Sequence, residues 1–312
     1  MRSVTGCAHA RAGYPQAAGG LSTSCSGEWS WVERVKADAD RRASLNAAQL
    51  VGGFILAIVV AVGAYAAGSL SRSGAIAAIV VGTLTFGIGG PLPGALLLLF
   101  FISSSLLSRV GGAKKRKVAA AFAKGGRRDH GQVMANGALA ALLSAGFGLT
   151  GDSVWLAGLA GALAAVNADT WATELGVLAR QGPRMVTTGV RVEAGTSGAV
   201  SALGVAAALG GALLISAPAA VAERAPLLAL IATASGVAGS LFDSLLGATV
   251  QAIYTCPACA KETERHPLHS CGTPTIPLRG WRWLNNDGVN FGASLVGAVV
   301  SAGAWIVLGA GG

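Results

Sequence analysis

The chain is poor in charge. Only 12% of its 312 residues are Asp, Glu, Lys or Arg, whereas soluble domains carry about 25%. Acids are the scarcer sign, 14 against 23 Lys and Arg. With 53% hydrophobic residues, this excludes an ordinary soluble domain. Aromatic platforms and recognisable nucleic-acid-binding modules are missing, so the net charge of +9 is not read as a nucleic-acid footprint and no nucleic-acid partner is expected. No apolar stretch lies close to the start, which argues against a cleaved signal peptide. Cysteines number five. Three of them crowd one polar loop, a spacing for metal binding rather than a disulfide framework.

What is abundant is uncharged sequence. A helix crosses the hydrocarbon core with roughly 20 apolar residues, and the chain offers many such runs. The predicted fold is all-α: a polytopic transmembrane helical bundle of about 6–8 spans, with a small Cys-rich cytoplasmic loop at 255–287. The 46 glycines fit helices packed through small residues. Residues 1–47 form a polar tail, read as a disordered extension, and residues 48–312 form the membrane domain. Spans are predicted near 48–68, 131–150, 154–178, 197–217, 226–254 and 289–308. Between 74 and 108, Gly89-Gly90-Pro91-Leu92-Pro93-Gly94 breaks the run into two short helices, about 74–88 and 92–108. They make either two thin spans or a re-entrant hairpin.

Orientation follows from Lys and Arg. If the basic loop at 109–128 is cytoplasmic and later spans all cross, the loops at 180–193 and 255–287 are cytoplasmic too. Beyond residue 72 this places Arg224 alone among the basic residues on the other face. The expected location is an integral membrane: the plasma membrane in a prokaryote, or an organelle membrane.

Ionisable groups inside spans cost about 2.5–3.5 kcal/mol each on insertion scales and usually mark a site. Past Arg72, three acids lie within apolar runs: Asp169, Glu174 and Asp243. Asp169 is 11 residues before Arg180, about 16 Å along a helix, and Asp243 is comparably close to the cysteine loop. All three therefore belong to the cytoplasmic half. Ser240, Asp243 and Ser244 share one helix face, as do Thr170 with Glu174 and Asp169 with Thr173. Asp169 and Glu174 point roughly 140° apart, so either the helix unwinds or they serve different partners. The alternative for each acid is a buried partner for a loop Arg.

Other polar segments converge on the same face. Gly195-Thr196-Ser197-Gly198 is read as a helix start whose free N–H groups suit a phosphate, although Thr or Ser there is also an ordinary N-cap. Asn286 or Asp287 falls on one face with Asn290. Lys124, Arg127 and Arg128 lead into a helix carrying Asn136. Cations, carboxylates and phosphate-binding amides on one face are the parts of a phosphoryl-transfer site, with carboxylates for Mg²⁺. In the cysteine loop, Cys256, Cys259 and Cys271 with His269 (His266 second) make a closed structural zinc set.

Taken in order, Gly131 to Gly137, Ala168 to Gly176, Pro183-Arg184 to Thr188, Gly195 to Gly198, Gly239-Ser240 to Asp243-Ser244 with Gly247-Ala248 and Gln251, and Asn286-Asp287 with Val289-Asn290 resemble the transmembrane protein 19 family, also called the domain of unknown function 92 family. The resemblance covers about 50–310. That family includes the plant chloroplast phytyl-phosphate kinase, so the resemblance implies an isoprenoid monophosphate kinase using a nucleoside triphosphate and Mg²⁺. Asp169, Gly176, Pro183-Arg184 and Gly195 to Gly198 are also similar to CTP-dependent lipid-alcohol kinases. On this reading Asp169 and Asp243, with Glu174, are catalytic. Lys124, Arg127, Arg128 and Arg184 neutralise charge, and Asn136, Thr170, Thr173, Ser240, Ser244, Asn286, Asp287 and Asn290 bind substrate. The bilayer, an isoprenoid phosphate and the nucleotide are the partners. The competing reading is a transporter or flippase for an anionic or lipid-linked substrate.

Overall fold

A computed structural model describes residues 47–110, 112 and 126–309. The tail and Lys124 lie outside them. Eight helices are described: α1 (Ala47–Ala66), α2 (Arg72–Gly87), α3 (Pro91–Leu107), α4 (His130–Thr150), α5 (Ser153–Gly176), α6 (Ala202–Glu223), α7 (Pro226–Thr249) and α8 (Asn286–Leu308). Two small sheets sit in the loops. One pairs β1 (Arg184–Met185) with β2 (Ala199–Val200); the other runs β4–β3–β5 over Lys261–Thr263, Ile253–Cys256 and Ile276–Arg279. The integral membrane class and the helical bundle stand as predicted.

Local chemistry sets the ends. Ser71, Asp152, Ser201 and Asn285 each accept a hydrogen bond from the first turn they cap, and Asp129 with Gln132 forms a reciprocal capping box on α4. Several predicted boundaries move; α6 runs on to Glu223 rather than 217, and α8 begins at Asn286 rather than 289. Helix α6 starts at Ala202, not 197, because Ser201 is the cap and 199–200 are extended. Helix α7 stops at Thr249, since Ile253 to Cys256 is a strand.

Side-chain contacts give the direction of each helix. Gln49 Nε2, at the start of α1, donates to the Phe86 and Gly87 carbonyls at the end of α2, 3.1 and 3.2 Å. Arg109 Nη2, after α3, donates to the Ala67 carbonyl after α1, 3.0 Å. Gly89, between α2 and α3, packs on Ser144 near the end of α4. The Gly/Pro-broken pair therefore runs from one end of the bundle to the other and back, as two short apolar helices. At the far end, Trp305 Nε1 of α8 donates to Ser153 Oγ at the start of α5, 3.0 Å. The loops after α1, α3, α5 and α7 all emerge at one end, the end that collects the basic residues.

Helix α5 is the axis. Every residue from Leu156 to Ala168 is buried, with α3, α4, α6, α7 and α8 packed around it. Small residues permit this. A Cβ on Gly161 would overlap the Gly297 carbonyl of α8, and one on Gly236 of α7 would meet Ala164 at 2.7 Å. Five described helices, α1, α4, α6, α7 and α8, are long and apolar enough to cross a membrane. Helix α5 is not among them, because its polar C-terminal half lowers its hydropathy, and its neighbours shield it from lipid. Asn167 ties three helices together: Ser103 Oγ of α3 donates to its Oδ1 at 3.0 Å, and its Nδ2 donates to the Gly211 carbonyl of α6 at 2.7 Å. Buried hydrogen bonds within membranes are each worth about 0.6 kcal/mol, up to about 1.7. Replacing Asn167 by Ala is expected to cost about 1–2 kcal/mol and to lower the melting temperature in detergent. An unchanged melting temperature would show that the tie carries no weight.

Candidate functional site

Where the loops emerge, the bundle opens into a cavity of about 590 Å³. Its floor is made by the helix ends that the polar segments interrupt. Asp169, Thr170, Thr173 and Glu174 come from α5, Ser240, Asp243 and Ser244 from α7, Asn286 and Asn290 from α8, Asn136 from the first half of α4, and Arg128 from just ahead of it. Gly195 to Gly198 form one wall. Sequence positions far apart are thus brought to one chamber.

Three of the predicted residues are not on its lining. Arg127 donates to the Leu70 carbonyl at 3.3 Å and lies over the Tyr65 ring. Arg184 donates to the Gly189 carbonyl at 2.8 Å, closing its own hairpin. Asp287 sits in the first turn of α8, where a negative charge suits the helix dipole. The Gly195 to Gly198 reading also changes. The segment is a turn four residues ahead of α6, not a helix start. Gly195 and Gly198 have φ of 92° and 82°, and a Cβ on Gly198 would collide with the Ala248 backbone of α7. Both glycines are needed for conformation, and Gly198 also for close approach.

The acids divide into two sets. Helix α5 stays continuous through Gly176, so Asp169 and Glu174 serve different partners. Glu174 faces α3 and the α4 entrance: Ser108 Oγ donates to its Oε1, and its charge attracts Arg128. Arg128 is in turn held by Ser105 Oγ at 2.9 Å and by the Phe101 ring. Burial pushes its guanidinium pKa down and Glu174 opposes that shift. Asp169 lies beside Ser240 and is close enough to Asp243 and Glu264 for their charges to interact. Asp243 Oδ2 and Asn136 Oδ1 are buried without a hydrogen-bond partner among the described residues. Thr170 spends its hydroxyl on the Val166 carbonyl.

Glu264 and Arg265, which the sequence reading did not single out, also line the cavity. They come from the cysteine loop. Ser197 Oγ donates to Gln251 Oε1 at 3.0 Å, and Gln251 Nε2 donates to Glu264 Oε1 at 2.9 Å. Arg279 Nη1 donates to the Gly247 carbonyl at 2.7 Å, pinning the loop's last strand to α7. The signal was present in Gln251 and in an acid two residues beyond β4's centre, but only the folded hairpin turns them inward.

The ligand atoms of Cys256, Cys259, His269 and Cys271 lie within 4.8 Å of one another, a set able to hold a metal ion. Cys256 and Cys271 sulfurs are 3.6 Å apart, and His269 Nδ1 is 3.2 and 3.6 Å from the Cys271 and Cys259 sulfurs. Metal–sulfur bonds of about 2.3 Å in a tetrahedron require edges near these values. Hydrogen bonding, first to Thr273 and then to His269, lowers the Cys271 thiol to about 5, which favours the ligating thiolate. His266 is used otherwise: it stacks on Tyr254 with ring centroids 4.4 Å apart.

A helical bundle with one polar end and acids buried beneath a stapled loop defines an integral membrane protein with a built site. The chain belongs to the DUF92 family of integral membrane proteins, whose model matches residues 55–298. It is 34% identical to Protein PGR of Arabidopsis thaliana over 270 residues, covering 78% of this chain and 91% of that protein. It is 33% identical to an uncharacterised membrane protein of Methanocaldococcus jannaschii over 168 residues, 54% of this chain and 58% of that one. No solved structure matches.

Elemental analysis of the purified protein is expected to find near-stoichiometric metal, lost in Cys256→Ser. Unchanged sub-stoichiometric metal in both proteins would rule the site out.

Proposed function

We propose that the protein is a membrane-embedded phosphotransferase that moves a phosphoryl group from a nucleoside triphosphate to an isoprenoid monophosphate, with Mg²⁺ and on the cytoplasmic face. The observation that supports this best is the pairing of Asp169 and Asp243 from two helices at the floor of a chamber that also holds Arg128, Asn136 and the 195–198 turn. The unpartnered, buried Asp243 Oδ2 fits a carboxylate meant for a cation. Asp169 and Asp243 are the residues that would hold Mg²⁺ with the nucleotide; Mg²⁺ supplies charge neutralisation on the transferring phosphoryl group.

The acceptor is already a phosphate, so its oxygen attacks the γ-phosphorus without a strong base. The bond to the bridging oxygen breaks, and the nucleoside diphosphate leaves with the electron pair. The chain's part is to position the two phosphates and offset their charge. Arg128 supplies a fixed cation, Ser240 and Asn290 orient polar atoms, and Gly195 to Gly198 let backbone approach closely. Zinc is the metal we assign to Cys256, Cys259, His269 and Cys271. It would hold the loop that delivers Glu264 and Arg265, with no part in bond breaking.

A transporter needs a polar path through to the other face. Helix α5 between Leu156 and Val166 is buried among apolar neighbours, which favours the enzyme.

Purified protein with geranylgeranyl or phytyl monophosphate, Mg²⁺ and CTP or ATP is expected to form the diphosphate. Asp243→Asn and Asp169→Asn are each expected to lower kcat by about 10²-fold or more, the scale of removing one preorganised electrostatic group. Absence of diphosphate with every donor, together with uptake into liposomes, would replace this reading with transport.

A further inference from the structure

A second cavity, a cleft with almost wholly apolar walls, runs between α1, α2, α3 and α4. Leu56 and Val60 of α1, Val81 and Phe86 of α2, Leu97 of α3 and Val133 of α4 line it. Its polar exceptions lie together at one end. Arg128, Gln132 and Asn136 belong both to this cleft and to the carboxylate chamber. Phe101, beneath the Arg128 guanidinium at 5.6 Å, also lines the cleft. A molecule at that junction meets a cation and two amides on one side and only hydrocarbon on the other.

At the far end of the cleft α1 packs closely on α2. Gln49 caps the last carbonyls of α2, and a Cβ on Gly53 would sit 2.7 Å from the Gly87 nitrogen. The run from Arg72 to Phe86 spans about 21 Å at helical rise. Helix α1 forms the outer wall. Its Val51, Phe54, Ile55, Val59 and Val62 are exposed, so the wall facing the bilayer is only loosely tied to the bundle.

We infer that this cleft holds the single apolar tail of a lipid monophosphate whose head sits in the carboxylate chamber. The inference rests on the phosphotransfer reading for the head group. The chemistry of the junction selects the occupant: one anionic head at Arg128, one chain in a narrow slot that tightens where α1 meets the end of α2. The Asn136 carbonyl, buried without a partner among the described residues, faces the same junction, and an amide flip turns it into a donor for a phosphate oxygen. A tail gains little free energy on leaving lipid for an apolar protein slot, because both are hydrocarbon. The cleft therefore discriminates by length and shape, with Phe86 and Gly53 at its floor as the measuring end.

The test uses the full chain in nanodiscs without nucleotide, and a geranylgeranyl monophosphate carrying a diazirine on its tail. Photolysis and peptide mapping are expected to place adducts on cleft residues of α1 to α4. Unlabelled geranylgeranyl monophosphate should compete, and two-chain phosphatidic acid should not. Adducts confined to outward residues such as Phe54, Val59 and Ile76, or equal competition by phosphatidic acid, would overturn the proposal. Ala78→Trp, about midway along the slot, is expected to cut labelling by the long tail about tenfold, a change of about 1.4 kcal/mol, and to leave binding of the shorter geranyl monophosphate within about twofold. Equal loss of both tails in a variant that keeps its metal and elutes monodisperse would overturn it; if the variant does not fold, the wild-type adduct map decides. Cleft labelling in a protein that never forms diphosphate would sink the phosphotransfer reading and leave the tail site standing. Turnover with labelling outside the cleft would do the reverse.

Discussion

The structure depends on keeping one polar helix out of the lipid. Helix α5 carries Asn167, Asp169, Thr173 and Glu174, and each of its two carboxylates exposed to hydrocarbon would cost about 2.5–3.5 kcal/mol on insertion scales. The bundle wraps α5 with other helices instead, and glycine and alanine at the crossings let the wrapping close. Asn167 is satisfied by Ser103 and Gly211 in the dry zone, and one turn later the same helix enters the open chamber. The tie and the site are neighbours because the helix changes environment between them.

This arrangement explains why the chemistry gathers at one end. Helices α5 and α7 finish there, and α4 and α8 begin there. Residues from helix ends have both a rigid support and access to water. The cysteine loop closes the assembly from outside, through Gln251 to Glu264 and through Arg279 to Gly247. A metal held by the thiols and His269 would thus stabilise the geometry of the chamber without entering it.

Much of this was legible in the sequence. The apolar runs and the basic loops gave the helices and their common polar end, because hydropathy and charge act locally. Asp169, Asp243 and Asn290 stood out because membrane helices tolerate such residues poorly. The four metal-ligand candidates could be read from spacing alone. What was not legible depends on contacts between distant segments. Glu264 and Arg265 face inward only because β3 and β4 fold back on each other. Arg127 and Arg184 looked like neutralising cations, yet local carbonyls and a ring hold them. The 195–198 segment resembled a helix start because Ser and Thr cap helices; the true cap is Ser201, and the glycines answer to Ala248 instead.

The α2–α3 hairpin has a consequence for the surrounding lipid. Its helices have 16 and 17 residues, about 24–26 Å, against a hydrocarbon thickness of about 30 Å. Such a mismatch is relieved by local thinning of the bilayer, at fractions of a kcal/mol per ångström. Where the hairpin meets lipid, a dip of the leaflet would relieve the difference. A hairpin of this length suits a thin bilayer better than a thick, sterol-rich one.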